Sequence, residues 1–416
     1  MIDSYTLVSL GCRANRYESG AVAATLDAAG FVHGSGALVV CSCALTAQAE
    51  RTAAAHISRY RREFLGGISV LYGCLASHGT AVTADIVTND RAALPSLIRR
   101  FAVERKPLKH IVSSDKFDEA GAVAQTATRA LVKIQDGCDR HCAYCAVPSA
   151  RGTPRSRSID SIQAECLALA HQGHRELILT GINLSRFSPD LLAAVHIACS
   201  TPNVERVRLS SLEPDKSLMN DGFFEKLAHL DKLCPHFHLS LQSGSNVTLS
   251  NMLRGYDTGF YTYCIEKIRQ HFPDAALTTD VIVGFDGETD RDFADSLAYV
   301  KQVGFAKIHV FTYSPRKNTP ATWLHLPVVP DDVKRRRYLA MSQVAAKSRE
   351  EFLLSRVGKT VRIIAEKPKT DDYAVGRADD STPVRVYGAK LIRGEVYALS
   401  VTDASDGYCV GEVAEV

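Results

Sequence analysis

A chain of 416 residues with 46% hydrophobic and 23% charged positions suggests roughly two to four domains with substantial cores, which excludes broad disorder. No apolar run is long enough to span a membrane and no basic-then-apolar leader opens the chain, so the expectation is a cytoplasmic protein. A net charge of +3 does not by itself mark a nucleic-acid binder; any RNA surface has to be a local patch, with Arg59/Arg61/Arg62, Arg151/Arg155/Arg157 and the run 334–337 as candidates.

Short strands are expected at 5–10, 38–40, 69–72 and 85–87, with helices at 17–29 and 48–64 between them. Strand–helix alternation implies a parallel sheet, here an N-terminal α/β domain over 1–115. The small, polar stretch 113–129 reads as a linker. From 128 to 354, strands at 130–134, 176–180, 205–209, 237–241, 277–283 and 307–311 alternate with helices at 159–171, 191–199, 223–230, 258–271 and 291–303, and a long helix closes the segment at 331–354. Six βα units without a seventh and eighth predict a partial (β/α)6 barrel. The tail, 355–416, carries five short strands separated by Asp, Gly and Pro, the pattern of a small all-β barrel.

Twelve cysteines in such a chain point away from a disulfide framework and toward metal or redox chemistry. Cys138, Cys142 and Cys145 stand at CxxxCxxC spacing just after the first barrel strand, where barrel enzymes keep their chemistry. Soft thiolates suit iron–sulfur or zinc, and no obvious fourth ligand for a closed zinc site follows nearby. Three ligands on a four-iron cluster leave one iron open to chelate S-adenosylmethionine (SAM). Cys12, Cys43 and Cys74 follow the first three N-terminal strands. In a parallel sheet those strand ends share one edge, so the three thiols should converge on a second cluster. The bland alternative is three buried cysteines acting as small hydrophobes, the reading given to Cys166, Cys199, Cys234, Cys264 and Cys409.

Several long runs resemble the methylthiotransferase family of radical SAM enzymes: LGCRANRYES at 10–19, QDGCDRHCAYCAVPSARG at 135–152, RLSSLEP at 208–214, LSLQSGSNVTLSNMLRGY at 239–256, TTDVIVGFDGET at 278–289 and HVFTYSPRKNTPA at 309–321. The resemblance implies two [4Fe-4S] clusters, held by Cys12/Cys43/Cys74 and Cys138/Cys142/Cys145, SAM as cofactor, and a C-terminal TRAM barrel that binds RNA. It implies SAM contacts at Tyr144, Thr180, Gly181, Glu213, Gln242, Arg254 and Gly284. LGCRANRYES with Arg155-Ser156-Arg157 is most similar to the MtaB-type branch. That branch adds a methylthio group to carbon 2 of threonylcarbamoyladenosine at position 37 of tRNA. Sister branches act on isopentenyladenosine of tRNA or on an aspartate of a ribosomal protein. A reading from a different class is a non-catalytic RNA-binding iron–sulfur protein. Three positions depart from the family pattern: Cys41 replaces an Asn, Asp286 a Pro and Asn318 a Gly. None removes an expected ligand.

Overall fold

The computed structural model describes residues 3–119, 125–368, 370 and 372–413; the middle of the expected linker, 120–124, lies outside them. The fold is α/β with parallel sheets and a small closed β-barrel at the C-terminus. Two compact units divide the chain, and they do not follow the sequence boundaries: one holds 1–125, 133–157 and 314–324, the other 126–132, 158–313 and 325–416.

The first unit is built on six parallel strands: β1 (Ser4–Ser9), β2 (Val32–His33), β3 (Ala37–Ser42), β4 (Ile68–Gly73), β5 (Ile86–Thr88) and β6 (Leu108–His110), in the order β2-β1-β3-β4-β5-β6. All of β3 is buried, because helices cover both faces of the sheet, which makes its strands read as apolar runs. On one face, Tyr5, Val39 and Val70 pack with Val22 and Leu26 of α1 (Arg13–Ala28) and with Leu94, Ile98 and Phe101 of α4 (Leu94–Glu104). On the other, Leu38, Val40 and Leu71 pack with Ala53, Ile57 and Tyr60 of α2 (Ala47–Glu63) and with Leu75 of α3 (Cys74–His78). Each fully buried Leu or Ile there contributes about 1.5–3 kcal/mol. Thr46 starts α2 by accepting the Ala49 N–H at 3.2 Å, a cap worth about 1 kcal/mol. The two shortest edge strands, β2 and β6, were not expected from the sequence.

In the second unit, Glu176–Thr180 lies between Arg206–Leu209 and β7 (Ala130–Lys133), of which Ala130–Val132 belong to this unit. A second sheet orders Ser211–Leu212, His236–Leu239, Ala276–Val283 and Lys307–Thr312, its paired strands parallel. The partial barrel is therefore split at Ser210: the expected third strand is present as Arg206–Leu209, and the additional two-residue strand Ser211–Leu212 after it joins the other sheet. Its helices start on side-chain caps from Ser158, Asp190, Asn220, Ser245, Asp257 and Thr289. The tail strands Thr360–Glu366, Ala374–Ala378, Pro383–Val386, Val396–Ser405 and Tyr408–Val413 close into a barrel around Ile363, Val384, Leu399 and Cys409.

Two of the three candidate basic patches are partly turned inward, although Arg335 and Arg336 stay exposed. Arg157, Lys334 and Arg337 are buried, and the Arg151 side chain is only 7% exposed. Arg151 and Arg337 meet the internal carboxylates Glu18 and Glu288. Cys166, Cys199, Cys234, Cys264 and Cys409 are all buried.

Candidate active site

The strand order of the first unit places its topological switch point between β1 and β3, the position where open parallel sheets form a crevice at their carboxyl edge. Cys12 follows β1, Cys43 follows β3 and Cys74 follows β4. Asn15, in the first turn of α1, gathers them. Its Nδ2 donates to Leu10 O at 2.8 Å and to Ser42 O at 3.0 Å, tying together the loops that follow β1 and β3. Its Oδ1 lies 3.8 Å from Cys12 Sγ and 3.6 Å from Cys74 Sγ. Gly11, at φ +99°, makes room for the third thiol: a Cβ there would stand 2.7 Å from Cys43 Cβ and 3.3 Å from its Sγ. Burial pushes the Cys43 thiol up and the Cys74 thiol to about 12, against the pull of the Arg151 charge. Cys41 is elsewhere, in the apolar core with Tyr5 and Val39, and burial pushes its thiol to about 12.

Cys138, Cys142 and Cys145 lie in the loop between β8 (Gln135–Asp136) and α5 (Val147–Arg151). The loop is fixed by backbone hydrogen bonds: Cys145 N–H donates to Cys142 O and Cys138 N–H to Gly152 O, each at 3.0 Å. Two amides aim at sulfur: Arg140 N–H reaches Cys138 Sγ at 3.4 Å and Val147 N–H reaches Cys145 Sγ at 3.5 Å. N–H donors to sulfur are what a thiolate set for a cluster needs. From the 314–324 segment, Ala321 N–H donates to Ala143 O at 2.9 Å.

A buried charge network joins these two regions. Lys133 Nζ lies 2.5 Å from Glu18 and 2.8 Å from Asp136, and Arg155 lies 3.2 Å from Asp136. Arg151 meets both carboxylates, at 2.6 Å and 2.9 Å. Burial works against every charge here, yet the opposite charges win, holding Glu18 and Asp136 low and Lys133 and Arg151 high. Beside the network a cleft of about 800 Å3 is lined by Cys74, Glu18, Arg151, Arg155 and Lys116. Asn15, Glu18, Lys133, Asp136 and Arg151 were not among the expected site residues, although all but Lys133 lie within the runs 10–19 and 135–152.

Three thiols in each set are the soft donors that an iron–sulfur cluster takes. Among the described residues no three His, Cys, Asp or Glu side chains converge closely enough to hold one ion, but each thiolate of a four-iron cluster binds its own iron, so the sulfurs need not meet at a point.

The remaining expected residues are placed as follows. Tyr144 is half-buried in the cysteine loop of the first unit. In the second unit Thr180 ends its strand, buried, with Gly181 after it. Glu213 accepts from Asn183 Nδ2 at 3.1 Å and pairs with Arg254 at 3.5 Å. Arg254 also donates to Tyr256 Oη at 3.0 Å and stacks on that ring. Two expected SAM contacts thus neutralise each other. Gln242 sits at φ +71°, its N–H bound to Asp280 O. Gly284, at φ +70°, admits the chain's own Lys334: a Cβ would lie 2.4 Å from Lys334 Cγ.

Residues 132–300 match the Radical SAM superfamily and residues 4–92 match Uncharacterized protein family UPF0004. The chain is 32% identical to a threonylcarbamoyladenosine tRNA methylthiotransferase MtaB of Chlamydia pneumoniae, covering 90% of this chain and 89% of that one. It is 29% identical to the MtaB protein of Bacillus subtilis over 98% of this chain and 96% of that one. A tRNA-2-methylthio-N(6)-dimethylallyladenosine synthase of Methylococcus capsulatus is 28% identical, over 95% and 92% of the two chains. Among solved structures, the radical SAM methyltransferase TsrM of Kitasatospora setae, with cobalamin and a [4Fe-4S] cluster bound, superposes with TM-score 0.59 at 13% identity, over 77% of each chain.

Proposed function

The chain belongs to the radical SAM methylthiotransferase family, and we propose that it adds a methylthio group to carbon 2 of threonylcarbamoyladenosine at position 37 of tRNA. The observation that carries this reading is the pair of thiol triads within one compact unit, one at the switch point of a parallel sheet and one on the cysteine loop. A single-cluster radical enzyme has no use for the first. The relatives named for threonylcarbamoyladenosine support the substrate.

When bound, the two [4Fe-4S] clusters and SAM supply the radical and sulfur chemistry. The protein supplies placement. Cys138, Cys142 and Cys145 would hold the cluster that takes SAM, because three ligands leave one iron open. Asn15 gathers the loops of Cys12, Cys43 and Cys74, which would hold the cluster that handles sulfur. Thr180, Gly181, Glu213 and Gln242 stand at or just beyond the ends of the barrel strands, with Arg254 paired to Glu213, where such folds bind ligands. The tail barrel carries a half-buried stack in which Arg385 lies 3.5 Å from the Tyr408 ring centroid and 4.4 Å from that of Tyr373. Planar groups of this kind suit unstacked RNA bases.

A second reading, dimethylallyladenosine as substrate, is favoured by relatives of nearly equal similarity. Nucleoside mass spectrometry of tRNA from cells with and without the gene separates the two. The expected result is loss of 2-methylthio-N6-threonylcarbamoyladenosine with its unmethylthiolated precursor accumulating. Loss of the dimethylallyl product instead would establish the second reading, and an unchanged tRNA profile would overturn both.

A further inference from the structure

Arg151 stands in the segment that follows the Cys138/Cys142/Cys145 loop, yet its guanidinium reaches the other triad. All five of its N–H donors are engaged. Nε donates to Cys74 Sγ at 3.0 Å. Nη1 donates to Glu18 Oε1 at 2.6 Å and Asp136 Oδ1 at 2.9 Å. Nη2 donates to Asn15 Oδ1 at 2.6 Å and Glu18 Oε2 at 2.9 Å. A guanidinium held at five points has one orientation. The Nε–H is therefore fixed on sulfur rather than resting there by chance.

Charge accounting points the same way. Among the described residues the group contains three cations, the buried Lys133 and Arg151 and the partly exposed Arg155, against two carboxylates, Glu18 and Asp136. One positive charge is left over, and the one further group that Arg151 touches and that can answer it is Cys74. A thiol leaves that charge unbalanced, whereas a cluster-bound thiolate closes it. Hydrogen bonds and positive charge at a ligand sulfur stabilise the more negative, reduced state of an iron–sulfur cluster and raise its potential.

We propose that Arg151 is a positioning residue for the N-terminal cluster, donating to the Cys74 thiolate and raising that cluster's reduction potential. Glu18 is its counterweight, drawing off part of the guanidinium charge. The proposal rests on the reading that Cys12, Cys43 and Cys74 hold a four-iron cluster. Its consequence is a division of potentials: the sulfur-handling cluster sits above the low potential at which the SAM-binding cluster must work.

The test is a redox titration of the full-length, reconstituted chain followed by electron paramagnetic resonance. The Cys138→Ala/Cys142→Ala/Cys145→Ala background assigns the N-terminal signal. Arg151→Gln should shift that midpoint downward, Arg151→Lys should restore part of the shift, and Glu18→Gln should move it upward. Iron present with no shift in either Arg151→Gln or Glu18→Gln overturns the proposal. Where Arg151→Gln holds no cluster, Glu18→Gln decides alone: an upward shift supports the proposal and a downward shift or none rejects it. No iron at all in the triple-alanine background overturns the two-cluster reading and the proposal with it.

Discussion

At Gly137 the backbone leaves no space for a side chain. Its φ is +72°, and a Cβ would stand 2.0 Å from Thr153 O, a backbone atom that cannot swing aside. Gly137→Ala should therefore displace the start of the cysteine loop. The expected outcome is loss of about half the reconstituted iron, the share of one of two equal clusters, together with loss of SAM cleavage. Gly173→Ala is the control, since Gly173 has φ +89° with nothing within 4 Å of a built Cβ. It should cost about 1 kcal/mol in backbone strain and leave the iron unchanged. Cys41→Ala should likewise leave the iron unchanged and cost about 1 kcal/mol of packing, because that thiol lies in the core; iron loss there would show that Cys41 is a ligand. The thiols were legible in the sequence because ligand spacing and strand ends are local patterns. Glu18, Asp136 and Arg151 were not, because their pairing spans up to 133 residues and only folding brings them together. A run of arginines at 151, 155 and 157 reads as a surface patch until burial reverses its meaning.

Among the elements, the strand Glu176–Thr180 carries the most exposed prediction. Glu176 is fully buried and pairs with both Arg206 and Arg208, which are also fully buried. The two guanidinium groups continue into the tail barrel, where Arg206 donates to Arg377 O at 3.0 Å and Arg208 to Asp379 O at 2.8 Å. Removing the carboxylate leaves two buried cations facing each other, so Glu176→Gln should destabilise by about 3–5 kcal/mol, read from the urea midpoint. Burial alone would raise the Glu176 pKa, but Arg208 and Arg206 outweigh it and bring it down from 4.5 to about 2. A lowered folded-state value means that the stabilisation is complete above the unfolded pKa and is lost as pH falls from about 4.5 to about 2. The wild-type chain should lose stability through that window more steeply than Glu176→Gln; equal slopes would remove Glu176 from the account. The same carbonyl bonds make the tail part of the barrel's structure, so deleting 355–416 strips Arg206 and Arg208 of their carbonyl acceptors. The sequence shows a separable all-β tail because composition changes there. It does not show the bonds that bind the tail in, nor the short strand Ser211–Leu212 beyond Ser210, which two residues are too few to signal.

On the scale of the whole molecule, the two triads fall in one compact unit although Cys74 and Cys138 are 64 residues apart in sequence. Ala150 of α5, which follows the cysteine loop, packs into the core formed by Leu71 and Leu75 beside Cys74. Strand–helix alternation drew the domain boundary at 128, before the cysteine loop. In the structure 133–157 pack compactly with the N-terminal residues, where buried ion pairs and an apolar contact hold the loop. Periodicity cannot register either. The division of labour between triads then makes a prediction with two arms. Changing Cys12, Cys43 and Cys74 to Ala should leave about half the iron, by the count of two equal clusters, and should preserve 5′-deoxyadenosine formation under a strong reductant while abolishing methylthiolated tRNA. Changing Cys138, Cys142 and Cys145 should abolish both products. Shared packing implies a cost in the first arm: losing the Cys74 thiolate leaves Arg151 with an unanswered charge beside Ala150, so SAM cleavage should slow without disappearing. The decisive quantity is therefore presence of 5′-deoxyadenosine, read by mass spectrometry, and not its rate. Normal methylthiolation by the first variant would leave Cys12, Cys43 and Cys74 with no part in the reaction.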